Sequence, residues 1–420
     1  MNAPLPTALQ GFLARFEALR GHLPGDHAPR DAAAETLRTL GFPGRRDEAW
    51  HYTNLRPVAD ANFHAPLSSS DDGTAQLANI PNIGSRLTFI DGHFRPDLST
   101  TPTGATFHPF AAQAAFGTLA RPDRDPLTAL NTMLAEDGAV ITVPENTDAG
   151  TIALISLATD APGRATAIHP RHVIRLGAGA RLTLVDLAVG RGTYLHNPVL
   201  ELEIADSATL THIRLQDESL AAYHLATLYV AIAANGTYDS FSLVLGGRLA
   251  RAEIHTELTG PGAIAHLNAA QLLTGTQHAD ITTVVRHAAP HGTSRQTVKH
   301  VLAGRSRGVF QGRIEVARQA QKTDGYQMNQ ALLLSPDAEI NCKPELEIFA
   351  DDVKCSHGAT VGELDPEQLF YLRSRGIPDK DARAILVRAF LTEAIETVTH
   401  EAARSMLERA VHAWWERQAA

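Results

Sequence analysis

The chain is poor in sulfur and in net positive charge. Only two cysteines, Cys342 and Cys355, and four methionines stand among 420 residues. Two cysteines make no disulfide framework at this length, so a reducing compartment is expected. Lys and Arg total 37 against 46 Asp and Glu, a net charge of −9. That balance argues against nucleic-acid binding, which needs a basic surface to meet phosphate. No apolar run approaches the roughly 18–20 residues that cross a bilayer, so no membrane association is expected. The opening MNAPLPTALQGFLARF lacks a basic segment followed by an apolar one. No secretory signal is visible, and a cytoplasmic location is the expectation. The twenty histidines fall in no H-E-x-x-H arrangement, and no phosphate-cradling P-loop occurs. What is present, 44% hydrophobic and 20% charged residues, is globular composition.

Helical spacing relates Leu9, Phe12, Leu13, Phe16 and Leu19, and again Ala34, Leu37 and Leu40, with stops at Gly21 and Gly41. Helix is therefore expected up to about residue 42. From about 60 to 125 the chain is rich in Pro, Gly, Ser and Asp, with short strand-like pieces such as Arg86–Ile90.

The middle of the chain repeats. Small residues at Gly150, Ala180, Ala208, Gly236 and Gly262 each open a strand. Two residues on stand Ile152, Leu182, Leu210, Tyr238 and Ile264; five on stand Ile155, Val185, Ile213, Phe241 and Leu267; seven on stand Leu157, Leu187, Leu215, Leu243 and Ala269. A second strand precedes each turn. Leu200, Leu202 and Ile204 alternate with Glu201 and Glu203, and Leu228, Val230, Ile232, then Ile254, Thr256, Leu258 repeat the pattern. Alternation of this kind sends one set inward and the other to solvent. Two strands per repeat, each stacked on its equivalent, predict a flattened parallel β-helix rather than a propeller, whose blades need about 40–45 residues. The phase breaks near Gly292, where Ser294, Thr297 and Lys299 fill the apolar columns, and strand-like pieces resume at Val309–Val316, Ala331–Leu334 and Leu346–Phe349.

Beyond Gly362 the pattern is helical. Asp365-Pro366 supplies an N-cap and a first-turn proline, Gly376 a stop, and Pro378 opens a helix with Ala382, Ile385, Leu386, Ala389, Phe390 and Ile395 on one side. A third helix is expected over 401–417, with Met406, Leu407, Ala410 and Trp414 inward. The reading is mainly β: an N-terminal helical and irregular region (1–125), a parallel β-helix core (126–362) and a C-terminal helical domain (363–420). Helices at both termini are expected to cap the open rungs.

The stretch from Gly308 to Gly362 resembles the C-terminal core of the SufB/SufD family of iron–sulfur cluster assembly scaffolds, and LEIFADDVKCSHGATVG followed by LDPEQLFYLRSRGIP resembles its SufD branch above all. Asp47–Leu55, DEAWHYTNL, is similar to the family's N-terminal motif. The resemblance implies a right-handed β-helix with flanking helical domains. It implies a non-catalytic subunit that pairs with SufB through the β-helix and docks the SufC ATPase through its C-terminal helices. It further implies a nascent, transient iron–sulfur cluster near that interface, with the histidine of the C-S-H-G motif, here His357, as a ligand. The principal thiolate belongs to SufB, and no tightly bound cofactor is expected in the isolated chain. Homodimer and heterodimer both remain open.

The residues themselves fit a shared site. An iron–sulfur cluster usually takes four protein ligands, and two thiolates fall short of that. Cys355 and His357, two apart, leave the same face of an extended strand, as metal ligands should. The bland reading makes Cys355 a buried small hydrophobe and His357 a turn residue before Gly358. Of Asp351 and Asp352 at most one faces with His357, and a turn is favoured for both. Cys342 reads as a core thiol. His212 and His266 share one repeat column, read as a partly exposed ladder. Two rival functions are a purely structural, ATPase-docking subunit and a carbohydrate-active β-helix enzyme using Arg313, Glu315 and Lys322.

Overall fold

A computed structural model describes residues 5–66, 73–78, 80–113 and 116–419. Its centre is a β-solenoid of about eight turns with helices at either end of the chain. Each turn gives one strand to a 12-stranded front sheet and one to a 10-stranded back sheet. The front sheet includes, in spatial order, Ala139–Val143, Arg171–Leu176, Val199–Ile204, Tyr223–Ile232, Leu249–Leu258, His278–His287, Arg307–Val316 and Glu339–Ile348. The back sheet includes Asp148–Ala158, Arg181–Gly190, Thr209–Asp217, Thr237–Val244, Ile264–Leu273, Thr293–Leu302, Asp324–Leu333 and Lys354–Gly362. These strands pair in parallel, and among the described residues antiparallel partners occur only at the early end of each sheet. No helix among the described residues is long and apolar enough to cross a membrane.

The predicted front-sheet ladder is present. Leu202 stacks between Ile174 and Val230, and Leu200, Leu202, Ile204, Leu228, Val230 and Ile232 are all buried inside the solenoid. Successive rungs turn through the left-handed residues Asn146, Gly179, Ser207, Asn235, Gly262, His291 and Lys322, with φ of 54–70°. Each of these donates its backbone N–H to a carbonyl of the following rung, as Gly179 does to Asp206 at 2.8 Å. That donor ladder holds the corner in register.

The back sheet departs from expectation in three ways. Leu182, Leu210 and Tyr238 face inward, but Val185, Ile213, Phe241 and Leu187, Leu215, Leu243 face outward beneath the C-terminal helices. A sheet covered on both faces reads as continuous apolar sequence, so alternation cannot tell its sides apart. A bulge between Asp148 and Thr151 puts Ile152 opposite Leu184 rather than Leu182. The turn before Ala263 is one residue longer than its predecessor, so Tyr238 pairs with Ala265, not Ile264, and His212 aligns with Ser240 and Leu267, not His266. His212 is fully buried and 3.0 Å from the Tyr238 hydroxyl, so no exposed histidine ladder exists there.

Nor does the solenoid break at Gly292. Thr293–Leu302 pairs without interruption on Ile264–Leu273. The interior turns polar instead: Ser294 contacts His287 at 2.9 Å, Thr283 donates to Gln296 at 2.6 Å, and His300 bridges Gln271 and Asn329.

The helices flank the solenoid and leave its last rung uncapped. Thr7–Leu19, Ala28–Leu40 and Pro126–Leu134 pack on the outer front sheet, where Phe12, Phe16, Leu37 and Leu130 meet Leu195, Tyr223 and Leu249. Leu40 is exposed, unlike its predicted inward neighbours. The Asp47–Leu55 block crosses later rungs of the same sheet. Trp50 lies beneath the Arg251 guanidinium at 4.0 Å, and the Ala49 carbonyl accepts from Gln311 at 3.0 Å. At the other terminus, Asp379–Ile395 and Glu401–Ala419 cover the back sheet with Leu391, Ala394, Leu407 and Trp414. The Asp379–Ile395 helix buries the expected Ala382 and Ile395 but otherwise a shifted face: Val387, Leu391 and Ala394 are buried, while Ile385 and Ala389 turn outward.

Candidate functional site

The solenoid ends on two strands with one free edge each. Glu339–Ile348 pairs only with Arg307–Val316, and Lys354–Gly362 only with Asp324–Leu333. An uncovered edge presents a row of backbone donors and acceptors to a partner strand. Ile348, Phe349 and Val361 are exposed on this rung, and large apolar side chains in water mark a contact surface.

On the final back-sheet strand Cys355 stacks on Gly325 and His357 on Gln327. The two candidate ligands therefore share a face, as their spacing predicts. His357 is exposed. Cys355 is half-buried against Ile314 and Leu346, and burial raises its thiol pKa despite an opposing backbone hydrogen bond at Gly325. Gly358 occupies extended strand, not a turn. A Cβ there would meet Met328 Cε at 3.0 Å, so this glycine serves rung stacking.

Gln327, thirty residues before His357, was not singled out from sequence. It is wholly buried, and neither polar atom of its side chain has a hydrogen-bond partner. The rung length is the signal that relates it to His357.

Asp351 and Asp352 form the bend before this strand. Asp352 is ion-paired with Lys322, and its N–H donates to Gln321 Oε1 at 3.0 Å, which fits the turn reading. Cys342, read as a core thiol, is only half-buried on the last rung; it stacks on Phe310, and burial pushes its thiol up to about 11. Arg313 and Glu315 pair with each other at 3.0 Å on the outer front sheet, whereas Lys322 is engaged at the corner. These three do not assemble one catalytic site. A further surface lies on the C-terminal helices, where Phe370, Tyr371 and Ile385 are 73%, 56% and 43% exposed around a groove of about 940 Å³.

Residues 157–390 match the family "SUF system FeS cluster assembly, SufBD core domain", and residues 25–152 the "SufBD protein N-terminal region". The chain is 32% identical over 405 residues to an iron–sulfur cluster assembly SufBD family protein of Synechocystis, covering 91% of this chain and 89% of that one. It is also 32% identical over 371 residues to the iron–sulfur cluster assembly protein SufD of Escherichia coli, covering 87% and 88%. Protein ABCI7, chloroplastic, of Arabidopsis thaliana matches at 32% over 396 residues, 87% and 81% of the two chains.

Proposed function

The chain belongs to the SufBD family of iron–sulfur cluster assembly proteins, and from that premise we propose that it is a non-catalytic scaffold subunit of a SufBCD-type complex. The observation that carries this reading is the open last rung with His357 exposed on it. A SufB-type partner adds strands to the two free edges, and the exposed Ile348, Phe349 and Val361 are covered as it does so. His357 then offers an imidazole nitrogen to iron of the nascent cluster, which is cargo rather than a resident cofactor. Cys355 is the secondary donor, since a half-buried thiol with a raised pKa gives up its proton reluctantly. The exposed Phe370, Tyr371 and Ile385 supply an apolar dock for a SufC-type ATPase.

The test is reconstitution with SufB-type and SufC-type partners under anaerobic conditions, reading iron and sulfide per complex. His357→Ala is expected to assemble normally and to retain much less of both. Wild-type iron, sulfide and transfer to an apo-ferredoxin would reduce this subunit to a structural, ATPase-docking role.

A further inference from the structure

Inside the solenoid, His196 and His224 stack in register on neighbouring front-sheet strands, their rings 5.0 Å apart. Facing both is Glu218, just past the end of Thr209–Asp217. His196 Nδ1 lies 3.0 Å from one carboxylate oxygen. His224 Nδ1 lies 2.7 Å from the other, yet out of line for a hydrogen bond. The side chains of the three are only 3%, 5% and 1% exposed, and one nitrogen or oxygen from each falls within 4.8 Å of the rest. Ligands of a four-coordinate ion with bonds of about 2.1 Å stand roughly 3.4 Å apart, so a small contraction around an ion suits this triad.

Two observations point to an occupant. First, Glu218 has no arginine or lysine partner among the described residues; it is served by the two imidazoles and by Gln216 Nε2 at 2.9 Å. The equally buried Glu201 and Asp280 each hold an arginine, Arg171 and Arg251. A buried carboxylate without a cation is costly. Second, His196 Nε2 and the Tyr194 hydroxyl are buried here without hydrogen-bond partners.

We propose that His196, Glu218 and His224 bind a divalent first-row transition-metal ion, ferrous iron or zinc, within the β-solenoid. Two imidazoles and one carboxylate without a thiolate suit these ions; magnesium and calcium prefer all-oxygen sites, and copper(I) prefers sulfur. The site is separate from His357 and does not depend on its role. Because the triad is enclosed, the ion enters during folding.

The test is to express the full chain in medium supplemented with iron, zinc or cobalt, then measure metal content after desalting. About one ion per chain is expected, and the cobalt form should show the visible d–d bands of a low-coordinate N/O site. Competition between Fe²⁺ and Zn²⁺ during refolding identifies the preferred ion. A His357→Ala/Cys355→Ser double variant should keep the ion, and Glu218→Gln should bind it at least tenfold more weakly. Should Glu218→Gln fail to fold, anomalous diffraction from crystals of the metal-supplemented wild type decides the matter. A peak among the three residues sustains the proposal. Its absence, or metal lost with His357 and Cys355, overturns it.

Discussion

His357 sits in register directly above Gln327, a fully buried glutamine whose amide has no hydrogen-bond partner. The rung beneath the exposed imidazole is thus polar and unsatisfied at the end where the solenoid stops. If a ligand is assembled there, substitutions at 357 should act on iron, not on folding. His357→Ala should melt within about 0.5 kcal/mol of wild type, the range for exposed positions. It should sharply lower iron and sulfide in the anaerobically isolated complex. His357→Lys should fail equally, because its cation repels iron, and Cys355→Ser should be milder. A cluster yield unchanged in all three variants would refute the assignment.

Neighbouring glutamates on one strand should behave in opposite ways. Glu201 was expected in solvent but is wholly buried, paired with Arg171 and accepting N–H bonds from Gly117, Leu119 and Ala120. Glu203 is half-exposed and 3.2 Å from Arg175. Glu201→Ala should cost about 3–5 kcal/mol by stranding a buried guanidinium. Glu203→Lys should cost about 1 kcal/mol or less. Leu202→Asp between them should cost more than about 4 kcal/mol. Urea unfolding of the three variants checks the ranking.

Removing residues 363–420 is a poor test of ATPase docking, because it bares Ile213, Phe241 and Leu243 on the outer back sheet. The truncated chain is expected to aggregate. Phe370→Ser/Tyr371→Ser alters only exposed rings and should leave the melting temperature within a few degrees. Co-purification with a SufC-type ATPase should fall at least tenfold. Retained tight binding would place the dock elsewhere.

Acid should destabilise the polar end of the solenoid. Burial pushes His287 and His300 down to about 4 from 6.5. The unfolded chain then binds more protons than the native one between these values, so stability is full above about pH 6.5 and falls as pH drops toward 4. The loss is of order a few kcal/mol in total. Urea midpoints at pH 7.5 and 5.0 should show it, and His300→Gln should flatten the slope. An unchanged slope would mean His300 titrates normally in the fold.

Period and composition alone were enough to read a parallel solenoid here. Leu200–Ile204 recurs 28 residues on at Leu228–Ile232, and only one side of that strand is continuously apolar. That Cys355 and His357 share a face was legible for the same reason, since a spacing of two on a strand fixes it. The caps at Asp365 and the helix boundaries near Leu19 and Leu40 follow from local chemistry and agree with the structure.

Other features depended on what lies across the chain. Val185 and Phe241 were apolar in sequence for either side of the back sheet; the helix bearing Leu391 and Leu407 made theirs the outer one. Ser294 broke the apolar pattern, yet His287 of the facing sheet meets it inside, and His300 is bridged by Gln271 and Asn329 of the neighbouring rungs. Glu201 looked solvated until Arg171 and the 117–120 loop closed over it. His196 and His224 looked scattered, although their 28-residue spacing is one rung, and only Glu218 arriving from the opposite sheet makes them a cluster. Local patterning determines the strand, its pleat and its period, because those depend on neighbours in sequence. Which face is covered, and whether a buried polar group is paired, depends on groups remote in sequence, as between Ala49 and Gln311, 262 residues apart, and only the tertiary structure decided that.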